Sequence, residues 1–84
     1  MILDSLRNSA SFNETDRAIA TYLLNHTSDL KTLTMAKLAQ ETYTSNATII
    51  RFCKKLGLSG YRELIMQLIQ EISGDYLLAA TVDR

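Results

Sequence analysis

Apolar residues recur at three- and four-residue intervals almost from end to end of this chain. No stretch alternates apolar with polar for long enough to make a strand. That periodicity predicts an all-α fold. At 84 residues the chain is one domain, able to bury about 60–65% of the surface its unfolded form exposes, which leaves little room for catalysis around a large cofactor. A charged share of 21% and a hydrophobic share of 46% place it among ordinary globular chains rather than disordered ones. Cys53 stands alone, so neither an internal disulfide nor a multi-thiolate metal site is expected, and no cofactor is implied. No charged-then-apolar leader opens the chain and no run nears the ~20 apolar residues of a membrane span, so a cytoplasmic protein is expected.

Residues 2–9 read as a short helix with Ile2, Leu3 and Leu6 on one side. Asn13 caps a second helix running to about Asn25, with Glu14 and Asp16 in its first turn and Ala18, Ile19, Tyr22 and Leu23 as its buried stripe. Thr27, Ser28 and Asp29 are expected to form a turn or to cap a single short helical turn that ends near Thr32. Thr34 then caps a helix over 35–42 in which Met35, Leu38, Ala39 and Thr42 share a face. Ser45 caps another over 46–56, with Ile49, Phe52, Cys53 and Leu56 inward. Gly57 stops it, and Ser59 caps a last helix over 60–73 that carries Tyr61, Leu64, Ile65, Leu68, Ile69 and Ile72 and ends near Ser73-Gly74. The expected architecture is a small bundle of about five helices, with residues 75–84 as a linker or tail.

Two short helices joined by a tight turn, with the small Ala39 where they cross, make a helix-turn-helix. At 100° per residue, Ala47, Thr48, Arg51, Lys54 and Lys55 fall opposite the apolar stripe of the second helix. Such a helix fits the ~12 Å major groove of B-DNA, where Arg bonds guanine edges, Asn bonds adenine and a small apolar group meets a thymine methyl. Asn46, Ala47, Thr48 and Arg51 suit that role. Lys37, Lys54, Lys55 and the amide ends capped by Thr34 and Ser45 suit phosphates. The zero net charge hides a segregation that supports this reading. Residues 34–62 hold Lys37, Arg51, Lys54, Lys55 and Arg62 against Glu41 alone, while both flanking segments are net acidic.

Leu38-Ala39-Gln40-Glu41 followed by Ser45-Asn46-Ala47-Thr48, Arg51-Phe52-Cys53-Lys54-Lys55-Leu56-Gly57 and Ser59-Gly60-Tyr61-Arg62-Glu63 resembles the N-terminal DNA-binding domain of RpiR-type bacterial transcriptional regulators. The likeness covers about residues 12–72. It implies a helix-turn-helix domain over 1–74 that binds double-stranded DNA and pairs as a homodimer in the intact protein. It also implies control by a phosphosugar bound to a sugar-isomerase-like domain outside this chain. Where that family commonly places glycine and an aliphatic residue in the turn, this chain has Tyr43 and Thr44. Either packing holds Tyr43 in a strained left-handed conformation or the turn relaxes by one residue.

Other readings compete with this one. The Arg51, Lys54 and Lys55 face suits an acidic protein partner as well as DNA, and an enzyme fragment is conceivable, although no acid–base or nucleophile constellation supports it. Cys53 reads as a small hydrophobe and His26 as a partner for helix-terminal carbonyls. Gly57-Leu58-Ser59-Gly60 lacks the spacing and the Lys-Ser/Thr of a phosphate loop. Met66 widens the last helix's stripe, which reads first as core and second as a dimer contact shared with Ile50 or Tyr76-Leu77-Leu78.

Overall fold

Short polar caps set where the helices begin in the computed structural model, which describes the backbone of residues 2–8 and 10–82 and the side chains of residues 2–8 and 10–73. Among the described residues there are five α-helices: α1 (Ile2–Asn8), α2 (Glu14–Asn25), α3 (Met35–Glu41), α4 (Asn46–Lys55) and α5 (Tyr61–Val82). One 3₁₀ turn, Thr27–Asp29, joins α2 to α3, and no strand occurs among those residues. The all-α expectation holds. Asn13 opens α2 with a reciprocal pair: its Oδ1 accepts the Asp16 N–H (2.8 Å) while Asp16 Oδ2 accepts the Asn13 N–H (3.2 Å). Thr34 accepts the Lys37 N–H (3.1 Å) to open α3, and Ser45 accepts the Thr48 N–H (3.2 Å) to open α4. Each such cap stabilises its helix by about 1 kcal/mol. At the far end of α2, His26 Nδ1 donates to the Tyr22 carbonyl (2.7 Å) and the two rings stack, as expected for a residue serving helix-terminal carbonyls.

The core is built from one stripe of each helix and three residues between helices. Ile19 and Leu23 of α2, Leu38 of α3, Ile49, Phe52 and Cys53 of α4, and Leu64 and Leu68 of α5 are all fully buried. Each large aliphatic or aromatic side chain among them contributes about 1.5–3 kcal/mol by leaving water. Phe12, Leu30 and Leu58 enter the same core from the connecting segments, and Phe12 packs on Phe52 with ring centroids 5.4 Å apart. The expected stripe of α2 needs one correction. Ala18 is exposed, and the buried set is Asp16, Ile19, Ala20 and Leu23, an i, i+3, i+4, i+7 row that passes Ala18 by.

Two further expectations about α5 change. Gly60, not Ser59, stands at its start: the Gly60 carbonyl accepts the Leu64 N–H (3.2 Å), while the Ser59 hydroxyl donates to Glu63 Oε2 (2.9 Å). The helix also does not end near Ser73-Gly74 but continues to Val82, through the segment expected to be a linker or tail. One glycine inside a helix costs only about 1 kcal/mol, and the leucines and alanines after it are strong helix formers. Before that point Glu71 ties α5 to the start of the chain. Its two carboxylate oxygens accept the N–H groups of Ile2 and Leu3 (both 3.0 Å), supplying acceptors for the first turn of α1 and adding to the negative charge of Asp4 there.

Candidate nucleic-acid interface

α3 packs on α4, and its two buried residues are Leu38 and Ala39. Ala39 is small enough to let the two axes approach. The turn between them is a Schellman closure: the Tyr43 N–H donates to the Gln40 carbonyl (3.2 Å) and the Thr44 N–H to the Ala39 carbonyl (2.8 Å). α4 ends in the same way, the Gly57 N–H meeting the Lys54 carbonyl (2.9 Å) and the Leu58 N–H the Cys53 carbonyl (3.0 Å). The pivot of this motif must be left-handed. Gly57 takes φ +84° freely, whereas Tyr43 is held at φ +57°, a conformation that costs a residue with a Cβ about 1–2 kcal/mol. Of the two outcomes expected for this turn, the strained tyrosine is the one observed.

α4 is sharply two-sided. Ile49, Phe52 and Cys53 are buried and Leu56 is half-buried, while Asn46, Ala47, Ile50, Arg51, Lys54 and Lys55 are exposed and Thr48 lies at the boundary. Burial pushes the Cys53 thiol up to about 11, only partly offset by a backbone hydrogen bond, so it stays neutral and unreactive. Thr48 and Ser45 hydroxyls lie 3.1 Å apart within the cap. Thr48, Arg51 and Lys55 meet Asn13, Thr15, Tyr43 and Thr44 around a shallow groove of about 390 Å³ between α4, the turn and the start of α2. Thr34 and Lys37 stand outside it on the first turn of α3.

The cations of this region are not equivalent. Lys37 pairs with Glu41 across one helical turn at 3.6 Å, both groups in water, an interaction of only a few tenths of a kcal/mol. Lys55 reaches back to Asp16 of α2, whose carboxylate is almost fully buried. Arg51 and Lys54 have no carboxylate partner among the described residues, so the uncompensated positive charge of α4 is theirs. Sequence reasoning gave Asp16 only a place in the first turn of α2 and did not include Asn13, Thr15 or Tyr43 in the site. The Asn13-x-x-Asp16 spacing does signal a reciprocal cap, but nothing local signals Lys55, 39 residues away. Among the described residues no three His, Cys, Asp or Glu side chains gather as metal ligands, and no helix is long and apolar enough to cross a membrane.

An exposed, cationic helix locked to a neighbouring helix through a tight turn defines the helix-turn-helix class, the DNA-binding element of transcription regulators. Within that class the chain belongs to the rpiR family: the model for "Helix-turn-helix domain, rpiR family" matches residues 2–75. Over 60 residues, 71% of this chain, it is 38% identical to an uncharacterized HTH-type transcriptional regulator of Caldanaerobacter subterraneus subsp. tengcongensis, of which it covers 21%. The Vibrio vulnificus NanR protein, solved in complex with ManNAc-6P, superposes with a TM-score of 0.80 at 31% identity over 99% of this chain and 34% of the other. The chain thus spans a fifth to a third of these relatives, and the family is one of regulators rather than of enzymes.

Proposed function

We propose that this chain reads specific sequences in double-stranded DNA by inserting α4 into the major groove. Asn46, Ala47, Thr48 and Arg51 meet base edges there, and Lys54, Lys55, Lys37 and the helix starts capped by Thr34 and Ser45 meet phosphates. One observation carries the reading: Arg51 and Lys54 stand uncompensated on the open side of a helix whose other side is fully buried.

In the intact protein two such domains related by a two-fold axis would present their α4 helices about 34 Å apart to a roughly palindromic site in the bacterial cytoplasm. The NanR likeness supports a phosphosugar effector, bound in a domain beyond this chain. Selection of duplexes from a random pool tests the proposal, with enrichment of a defined half-site expected. On the selected duplex Arg51→Ala should relax preference at one base pair by about 1–3 kcal/mol, whereas Lys54→Ala should weaken all sequences alike and lower the salt slope by about one. Recovery without enrichment, or equal losses on every sequence for both variants, refutes base readout and leaves the acidic-partner reading of the same face.

A further inference from the structure

Tyr43 occupies a backbone position that disfavours it and a side-chain position that gives it nothing in return. Its φ of +57° is the left-handed pivot of a Schellman turn, and the same motif at the end of α4 is closed by Gly57 without strain. Strain of this kind is ordinarily offset by packing, yet Tyr43 is 96% exposed and its phenol has no hydrogen-bond partner among the described residues. Stability therefore does not account for a tyrosine here. Its location does. The ring borders the groove also lined by Thr48 and Arg51 of α4 and by Asn13 and Thr15 at the start of α2. A side chain there stands beside the exposed, cationic side of α4.

We propose that Tyr43 is a DNA-backbone contact, its hydroxyl donating to a phosphate oxygen of the strand bordering α4 and its ring lying against the adjoining deoxyribose. The inference rests on the DNA reading above and extends it to a residue off the recognition helix. The two closure bonds of the turn fix the backbone from which the ring projects into solvent. As a phosphate contact it adds affinity and sets register without adding sequence preference.

The test uses the 84-residue chain and its selected duplex, with Tyr43→Phe and Tyr43→Gly. Tyr43→Phe keeps the ring and the strain and should bind about tenfold more weakly at unchanged base preference. Tyr43→Gly should melt about 3–6 °C higher, through relief of the strained pivot, yet bind more weakly still. Duplexes carrying one neutral methylphosphonate at successive positions supply an independent reading: at one position near α4, neutralisation should weaken the wild-type chain but leave Tyr43→Phe unaffected. Wild-type affinity in both variants, or no such position, overturns the inference while leaving base readout by α4 intact. A wild-type chain that selects no duplex removes both.

Discussion

The pairing of Lys55 with Asp16 predicts a strong energetic coupling between residues 39 positions apart. Asp16 has two jobs: one carboxylate oxygen accepts both the Lys55 ammonium and the Asn13 N–H that completes the cap of α2. Truncation by Asp16→Ala removes a charge-assisted hydrogen bond of about 1.5–3 kcal/mol and half of a capping box, but Lys55, with 38% of its side chain exposed, regains some hydration. The net loss should be about 2–3 kcal/mol. Lys55→Met keeps the aliphatic stem but leaves a carboxylate with 8% side-chain exposure without its cation. The Asn13 amide and the positive end of α2 still serve that carboxylate, so about 2 kcal/mol is expected rather than the ~3–5 of a fully buried pair broken open. In a domain of this size either change lowers the melting temperature by about 10–20 °C. The double variant should lose little more than Asp16→Ala alone, giving a coupling energy of about 1–2 kcal/mol in urea titrations followed by far-UV circular dichroism. Additivity within about 0.5 kcal/mol would show that the ion pair contributes nothing and that Asp16 acts through its cap alone.

Three further outcomes follow from the packing and the titrating groups. Ala39→Leu, at the 4%-exposed crossing of α3 and α4, should cost about 1–3 kcal/mol by forcing the helices apart, and a heat-stable variant would contradict the close approach. Gly57→Ala should cost about 1–2 kcal/mol although no atom lies within 4 Å of the added methyl, because the penalty is in φ +84° and not in space; an unchanged urea midpoint would sink that reasoning. Tyr61, whose hydroxyl donates to the Leu33 carbonyl (2.7 Å), is pushed up to about 12, first by burial and then by neighbouring Cys53 and Tyr22. With Cys53 raised to about 11, the fold favours both neutral forms. Their contribution is complete below the unfolded values of about 8.5 and 10 and is lost as pH climbs to about 11–12, so urea midpoints should hold to about pH 8 and then fall, less steeply in Tyr61→Phe.

What could be read from the chain was local. The caps at Asn13, Thr34 and Ser45, the glycine stop after α4 and the inward row Ile49, Phe52, Cys53 each depend on residues within a turn or two, so spacing alone exposes them. The two-sided character of α4, and with it the set Ala47, Arg51 and Lys54, followed from the same arithmetic. Phe12 and Leu30 were invisible because they lie outside helical periodicity and enter the core only once the helices have assembled. Ala18 and Ala20 of α2 differ by a rotation that composition cannot resolve, and Ile19 fits a stripe drawn through either. The burial of Asp16 depends on the distant Lys55, which no window along the chain contains. The end of α5 was misplaced by treating Gly74 as a stop, although an isolated glycine lacks the closure bonds that accompany Gly57.

The clamping of α4 along its back and at both ends carries a consequence for change over time. Ile49, Phe52 and Cys53 fasten it from behind, Ser45 and Gly57 fix its limits, and Lys55 ties it to α2. Asn46, Ala47, Ile50, Arg51 and Lys54 are left as an outward-facing cassette whose replacement costs the scaffold about half a kcal/mol or less per position. Libraries randomised at those five sites should therefore yield mostly folded members, and new target preferences could be acquired by exchange on one surface with no compensating repair elsewhere.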